Sequence, residues 1–238
     1  MEYYDLGEKI TAFTTDRTVG RDPEKLCNIL GVERYARPHQ THTANVLHVD
    51  EHFFLLSEEE QEAKMEGIDA IISKVPATCL GISTADCIPV LVYDPEHHAC
   101  AAVHAGWKGT LQRIVENAMR EMLETFGTSP ALCRCAIGPG ISQDSFEVGW
   151  EVHEAFKTAG FPVDDVTVIM PSKDGNGTKP HLDLKEINRL QLLHTGVPAT
   201  SIQVSDIDTY TDNRFFSARR EQHGDEKCGR ILTGFVLR

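Results

Sequence analysis

Three short segments of this sequence each set a metal-capable side chain among residues that turn the chain: Gln40-Thr41-His42, Thr84-Ala85-Asp86-Cys87-Ile88-Pro89 and His104-Ala105-Gly106-Trp107-Lys108-Gly109. Two imidazoles and a thiolate suit a borderline-soft ion such as zinc. Three protein ligands leave one position of a tetrahedral ion open to water or substrate, which marks a catalytic site rather than a structural one. The same Cys87 and His104 also read as a nucleophile and its base with no metal at all. Singly, each residue is ordinary, since a cysteine before a strand is most often a small buried hydrophobe.

Further candidates surround these. Asp86, beside Cys87, is a general base or an orienting partner, and otherwise a turn residue. Arg219-Arg220, after Phe215-Phe216-Ser217, is the one strong basic pair able to clamp an anion bidentately, with Arg17 and Lys108 as possible helpers; the plainer reading is a solvated basic pair. Gly138-Pro139-Gly140 is chiefly a turn. Trp107 reads more readily as a core anchor than as a stacking platform.

Cys87 and His104 can meet only if the elements between them fold back. The apolar runs 89–93 and 100–104, joined by a turn at 94–98, predict a strand–turn–strand that brings both residues to one sheet edge. Other strand candidates are 44–49, 70–73, 79–84, 133–137, 166–170, 202–205 and 231–237. Apolar residues three and four apart predict a helix over 110–126, capped by Thr110 and ended by Gly127. A second is expected over 183–196, where Asp183 and Glu186 resemble a capping box, and a third over 145–159. The segment 172–179 is a surface loop by composition. Strand candidates outnumber helices about three to one, which disfavours a regular alternating barrel and points to an α+β fold or layered sandwich, while the length allows one core or two.

Composition limits the rest. The chain has 238 residues, 41% hydrophobic and 25% charged, as a globular protein does. Its formal net charge of −13 and lack of a basic patch argue against nucleic acid as a partner. No apolar run approaches the roughly 20 residues that cross a bilayer. The N-terminal MEYYDLGEKITAF has no apolar signal core, so a cytoplasmic location is the default expectation. Seven cysteines, an odd number dispersed through apolar runs without a C-x-x-C pair, read as reduced thiols.

The ordered strings TADCIPVLVYDP, VHAGWKGT, AIGPGIS with FEVG, FFSARR and a terminal GR-I-x-x-x-x-L resemble the laccase-domain family, which is also described as multicopper polyphenol oxidases and as purine nucleoside phosphorylases. The resemblance runs from about Gln40 to the C-terminus, roughly four-fifths of the chain. It implies a single domain over 1–238, a layered sandwich of packed mixed sheets flanked by helices, and a metal held by His42, Cys87 and His104. It implies phosphorolysis of adenosine, inosine and methylthioadenosine together with deamination of adenosine, copper-dependent laccase-type oxidation being the older description. Several positions depart from the family pattern. FTTDRTVGRDPEKL keeps Arg17 but lacks a glycine-rich loop; Lys108 stands where arginine is common; Gly140 and Asp208 stand where cysteines are common. The missing cysteines weaken a multicopper reading.

The expected function is therefore a metal-dependent purine nucleoside phosphorylase with adenosine deaminase activity, zinc being the expected ion and copper the alternative. A purine nucleoside and phosphate are the expected partners, with Arg219, Arg220 and Arg17 on the substrate and Cys87, His104 and Asp86 in catalysis. Rival readings are a copper polyphenol oxidase, a zinc amidase acting on a cell-wall peptide precursor, and a non-enzymatic domain braced by its metal.

Overall fold

In the computed structural model, which describes residues 1–172, 175, 177–224 and 229–238, two sheets pack face to face. One has five strands in the order Glu2–Tyr4, Ile10–Thr14, Ile231–Leu237, Thr78–Thr84 and Arg34–Ala36. The other has six, in the order Ile202–Val204, Arg134–Ile137, Ile88–Asp94, Ala99–Ala105, Ala70–Ser73 and Val46–Val49. Both are mixed, with Ile202–Val204, Val46–Val49 and Arg34–Ala36 each parallel to a neighbour.

The period-two alternation of side chains sorts the core into layers. From the six-stranded sheet Leu91, Tyr93, Cys100 and Ala102 face Leu80, Ile82, Phe235 and Leu237 of the other sheet. Their neighbours Ile88, Val90, Val92, Ala101 and Val103 face outward, under the helices Ile114–Phe126, Trp150–Thr158 and Leu184–Thr195. On the far side Phe13, Cys79, Leu232 and Val236 receive Leu26 and Leu30 of the helix Pro23–Leu30. The expected α+β sandwich is thus present, with helices on both outer faces. No helix among the described residues is long and apolar enough to cross a membrane.

The strand–turn–strand forms as expected, with Ile88 opposite Ala105 and Pro89 opposite His104. The expected helix over 110–126 is instead two. Trp107–Leu111 ends and Ile114–Phe126 begins around Arg113, whose φ of 59° is left-handed. The break is held by the Arg113 guanidinium, which bonds the Ala159 carbonyl at 3.1 Å and lies over the Phe161 ring at 4.4 Å. Thr110 is consequently interior, its hydroxyl paired with Asn188 rather than capping a helix. The third helix starts at Trp150, not near Ser145, because Ser145 is bonded to Asp208 at 2.6 Å and Glu147 bridges to His181.

Leu184–Thr195 has Asp183 and Gly196 as its caps, but Glu186 turns to Arg189 instead of closing a capping box. The expected surface loop over 172–179 is shorter, since Thr178 and Lys179 open the strand Thr178–Leu182, paired with Thr167–Pro171. Lys173, Asp174 and Asn176 of that expectation, and Cys228 among the expected thiols, lie outside the described residues. The helices Pro23–Leu30 and Glu58–Met65 and the strands Glu2–Tyr4, Ile10–Thr14 and Arg34–Ala36 were not expected. With them the ratio of strands to helices falls below three to one.

Candidate metal centre

Cys87 immediately precedes the strand Ile88–Asp94, and His104 is the penultimate residue of its antiparallel partner Ala99–Ala105. The hairpin register therefore delivers both to the same end of the six-stranded sheet. His42 arrives from a loop that is tied down twice. Gln40 pairs with the backbone of Ser83 in both directions, donating to its carbonyl at 2.8 Å and accepting from its N–H at 2.7 Å. Asp69, at the foot of the strand Ala70–Ser73, accepts the backbone N–H groups of Thr41, His42 and Thr43 at 3.2, 3.1 and 2.8 Å. The candidate ligand atoms of His42, Cys87 and His104 all lie within 4.8 Å of one another. His42 Nε2 is 3.8 Å from Cys87 Sγ, and the two imidazoles meet edge to face at 5.0 Å.

Asp69 does more than hold the loop. Its Oδ1 is 2.6 Å from His104 Nδ1, so that nitrogen carries the proton and Nε2 is left to face Cys87. The carboxylate is fully buried. Burial raises its pKa, but His104 and the Thr43 bonds outweigh this and hold it at about 2. Burial likewise raises the Cys87 thiol, and the His104 and His42 imidazoles draw it down to about 6. His104 responds in the opposite sense: burial lowers it, while the Cys87 thiolate and Asp69 push it up to about 9. The two groups thus shift in opposite senses because each faces the other.

Two glycines and two strained residues shape the site. A Cβ on Gly106 would stand 2.9 Å from His42 Cδ2 and 3.1 Å from Cys87 Sγ, so only glycine leaves the three donors their common space. A Cβ on Gly140 would fall 2.5 Å from Ile88 Cδ1 and 3.1 Å from the Asp86 carbonyl, which is why the IGPG turn can lie against the Cys87 backbone. His42 and Asp86 have φ of 63° and 77°, left-handed values that non-glycine residues adopt only when their surroundings fix them. For His42 the fixing agent is Asp69. Asp86 is fixed by its own carboxylate, which accepts from Thr209 Oγ1 at 2.7 Å, Ser217 Oγ at 2.8 Å and the Arg219 N–H at 2.7 Å.

That carboxylate is turned to the 209–219 segment, and both oxygens are engaged there. Ser217 caps the short helix Ala218–Gln222 that carries both arginines. Arg220 points its guanidinium at the carbonyls of Thr209, Tyr210 and Phe215. Arg219 donates to the Glu147 carbonyl at 3.1 Å and lies over the Phe146 ring. Arg17 donates to the Phe215 carbonyl at 2.9 Å and covers Phe216 at 4.9 Å. The structure therefore joins the segments of Cys87, Arg219, Arg220 and Arg17 through one network, and it brings His42, Cys87 and His104 into one cluster.

The donor set fits a metal ion: two imidazoles, one of known tautomer, a thiol of lowered pKa, and a space that a single added methyl would fill. Asp69 and Gly106 were missed as site residues in the sequence. Asp69 carried no signal, because its value depends on a contact 35 residues away. Gly106 stood inside the motif, and only the geometry gives its reason.

Comparisons with known proteins place the whole chain among relatives. The model of a family described as multi-copper polyphenol oxidoreductase laccase matches residues 9–238. A Bacteroides thetaiotaomicron protein named purine nucleoside phosphorylase is 45% identical over 206 residues, which are 86% of this chain and 74% of that protein. A protein named adenosine deaminase RL5, from an unknown prokaryotic organism, is 41% identical over 198 residues, 83% of this chain and 72% of its own. The crystal structure of a Bacillus licheniformis hypothetical protein, YfiH, aligns with a TM-score of 0.80 at 25% identity, covering 96% of this chain and 93% of that one. With its motifs, its fold and the full length of the match in agreement, the chain belongs to the multi-copper polyphenol oxidoreductase laccase family.

Proposed function

We propose that this chain is a metal-dependent purine nucleoside phosphorylase that also deaminates adenosine, with zinc held by His42, Cys87 and His104. The carrying observation is the convergence of those three donors within 4.8 Å in a chain 45% identical to a protein named purine nucleoside phosphorylase. The whole span 1–238 is read as one domain, because the family match runs from 9 to 238. The six described cysteines are free, as thiols are in the cytoplasm, where we place the reaction.

When bound, the ion supplies Lewis acidity at the end of the six-stranded sheet. The protein's own residues prepare the rest. Asp69 keeps the His104 proton on Nδ1. Asp86 acts as an orienting residue that fixes the backbone before Cys87 and the start of the arginine helix. Arg219 supplies the cation for phosphate, and Arg220 and Arg17 brace the segment that carries it. In phosphorolysis a phosphate oxygen forms a bond to the ribose anomeric carbon, the bond from that carbon to the purine nitrogen breaks, and the base leaves with a proton. Holding phosphate and nucleoside together accounts for much of the acceleration expected.

The test is product identification. Metal-loaded protein with adenosine and inorganic phosphate is expected to yield adenine and ribose 1-phosphate, with inosine as the deamination product. Absence of all three contradicts the reading. The family's own description favours a second reading, copper-dependent oxidation of phenols, which oxygen consumption would reveal. Against its multicopper form, one group alone among the described residues places three potential ligands close enough to share an ion.

A further inference from the structure

The FEVG motif has no part in the metal centre, yet Glu147 within it stands where the other motifs converge. Arg219 spans the gap: its backbone N–H bonds Asp86, the neighbour of Cys87, and its guanidinium bonds the Glu147 carbonyl. Glu147 therefore lies one arginine side chain away from the metal-cysteine loop. Behind it is His181, only 2% exposed, from the strand Thr178–Leu182 that bridges to Glu147. His181 Nδ1 donates to the Gln143 carbonyl at 3.2 Å. Its Nε2 is buried without a hydrogen-bond partner and points toward Glu147 Oε2 at 3.8 Å. An unbonded buried nitrogen costs free energy, so one beside the carboxylate of a residue linked through Arg219 to the Cys87 loop calls for a functional reason. Lys179 Nζ, 3.4 Å from Glu147 Oε1, adds a positive charge to the same carboxylate.

We propose that Glu147 recognises the ribose of the nucleoside through its vicinal hydroxyls, with His181 as the residue that positions it. This rests on the nucleoside reading above. A carboxylate offers about four lone-pair positions and no donor, which matches two adjacent hydroxyl donors; a phosphate, which has chiefly acceptors, is repelled there and left to Arg219. Phe146, beneath the Arg219 guanidinium at 5.9 Å, fixes the spacing between the anion-binding and the diol-binding groups. Such a contact discriminates between ribose and 2′-deoxyribose, because the second offers the carboxylate one hydroxyl fewer.

The experiment compares metal-loaded wild type with Glu147→Gln on adenosine and on 2′-deoxyadenosine, with phosphate present. Wild type is expected to favour adenosine in kcat/KM, and Glu147→Gln to lose about 10-fold or more of that preference, as for a lost charge-assisted hydrogen bond. Metal content should be unchanged. His181→Asn should move the same ratio in the same direction by a smaller factor, which a purely structural role would not do. If Glu147→Gln folds poorly, Glu147→Asp, which keeps the charge and shortens the reach, gives the same reading. Turnover of both nucleosides with an unaltered ratio in the variants overturns the Glu147 assignment and leaves the nucleoside reading standing. No turnover of either nucleoside by wild type overturns both.

Discussion

Asp69 Oδ1 lies 2.6 Å from His104 Nδ1 at the closed end of the metal centre, and the same carboxylate gathers the backbone N–H groups of Thr41, His42 and Thr43. One buried group thus sets the tautomer of one ligand and the left-handed backbone of another. Asp69→Asn preserves the volume but turns an N–H₂ toward donors that need an acceptor. Metal affinity is expected to fall about 10- to 100-fold, as for other orienting partners of ligating histidines, read by competition with a chelator. Unchanged affinity would show that His104 is oriented by something else.

Gly106→Ala separates the site from the fold. Gly106 has φ −68° and ψ 165°, which alanine adopts freely, so the backbone itself does not object. The added Cβ meets His42 Cδ2 and Cys87 Sγ, both ends of the proposed ligand set. Metal content is expected to drop sharply while the thermal midpoint changes little. A variant that keeps a full complement of metal would mean that the three donors do not share one ion.

Cys87 should betray its environment to iodoacetamide. In metal-loaded protein a ligating thiolate labels slowly; after chelation it should label fast. The pH dependence then carries a sign. A thiol drawn down to about 6 is already thiolate at neutrality, so its labelling rate should climb through pH 6 and level off by about pH 7, where an ordinary thiol is still rising toward about 8.5. Cys79 and Cys133, pushed by burial up to about 12, and the deeply buried Cys100 and Cys135 should stay inert and serve as controls. Rapid labelling before chelation, with a trapped substrate adduct, would favour a covalent role for Cys87 instead.

How much of this could be read from the sequence follows from how local each feature is. The hairpin of Cys87 and His104 was legible because its two apolar runs and its turn lie within twenty residues. The strand Ile231–Leu237 was equally legible, being a mostly apolar run after a polar segment. The break at Arg113 was not, because the 110–126 pattern suits one helix, and what interrupts it is the Ala159 carbonyl and the Phe161 ring, far along the chain. The helix Glu58–Met65 announced itself only by its capping box, Ser57 with Glu60, since its own residues are too polar to show a face. In the site, the ligand types and their spacing were visible, while Asp69 and the partners of Asp86 at 209, 217 and 219 required the tertiary fold.

The two arginines should separate cleanly. Arg220→Ala removes the donors from three backbone carbonyls and is expected to cost about 2 to 3 kcal/mol of stability, read from the urea midpoint. Arg219→Ala should cost less stability and raise the phosphate concentration needed for phosphorolysis, leaving deamination of adenosine, which uses water, much less affected. Equal losses in both activities would remove Arg219 from the phosphate and place it in support of the fold.

The central claim, that one ion held by His42, Cys87 and His104 serves the reaction on purine nucleosides, is tested most directly by metal analysis coupled to turnover. Wild type, Cys87→Ala and His104→Ala are purified without added metal, analysed for zinc and copper, and assayed with adenosine and phosphate. The account predicts about one zinc per chain in wild type, loss of the metal in both variants, and loss of adenine and inosine formation with it. Full zinc retention and full turnover in both variants would contradict it.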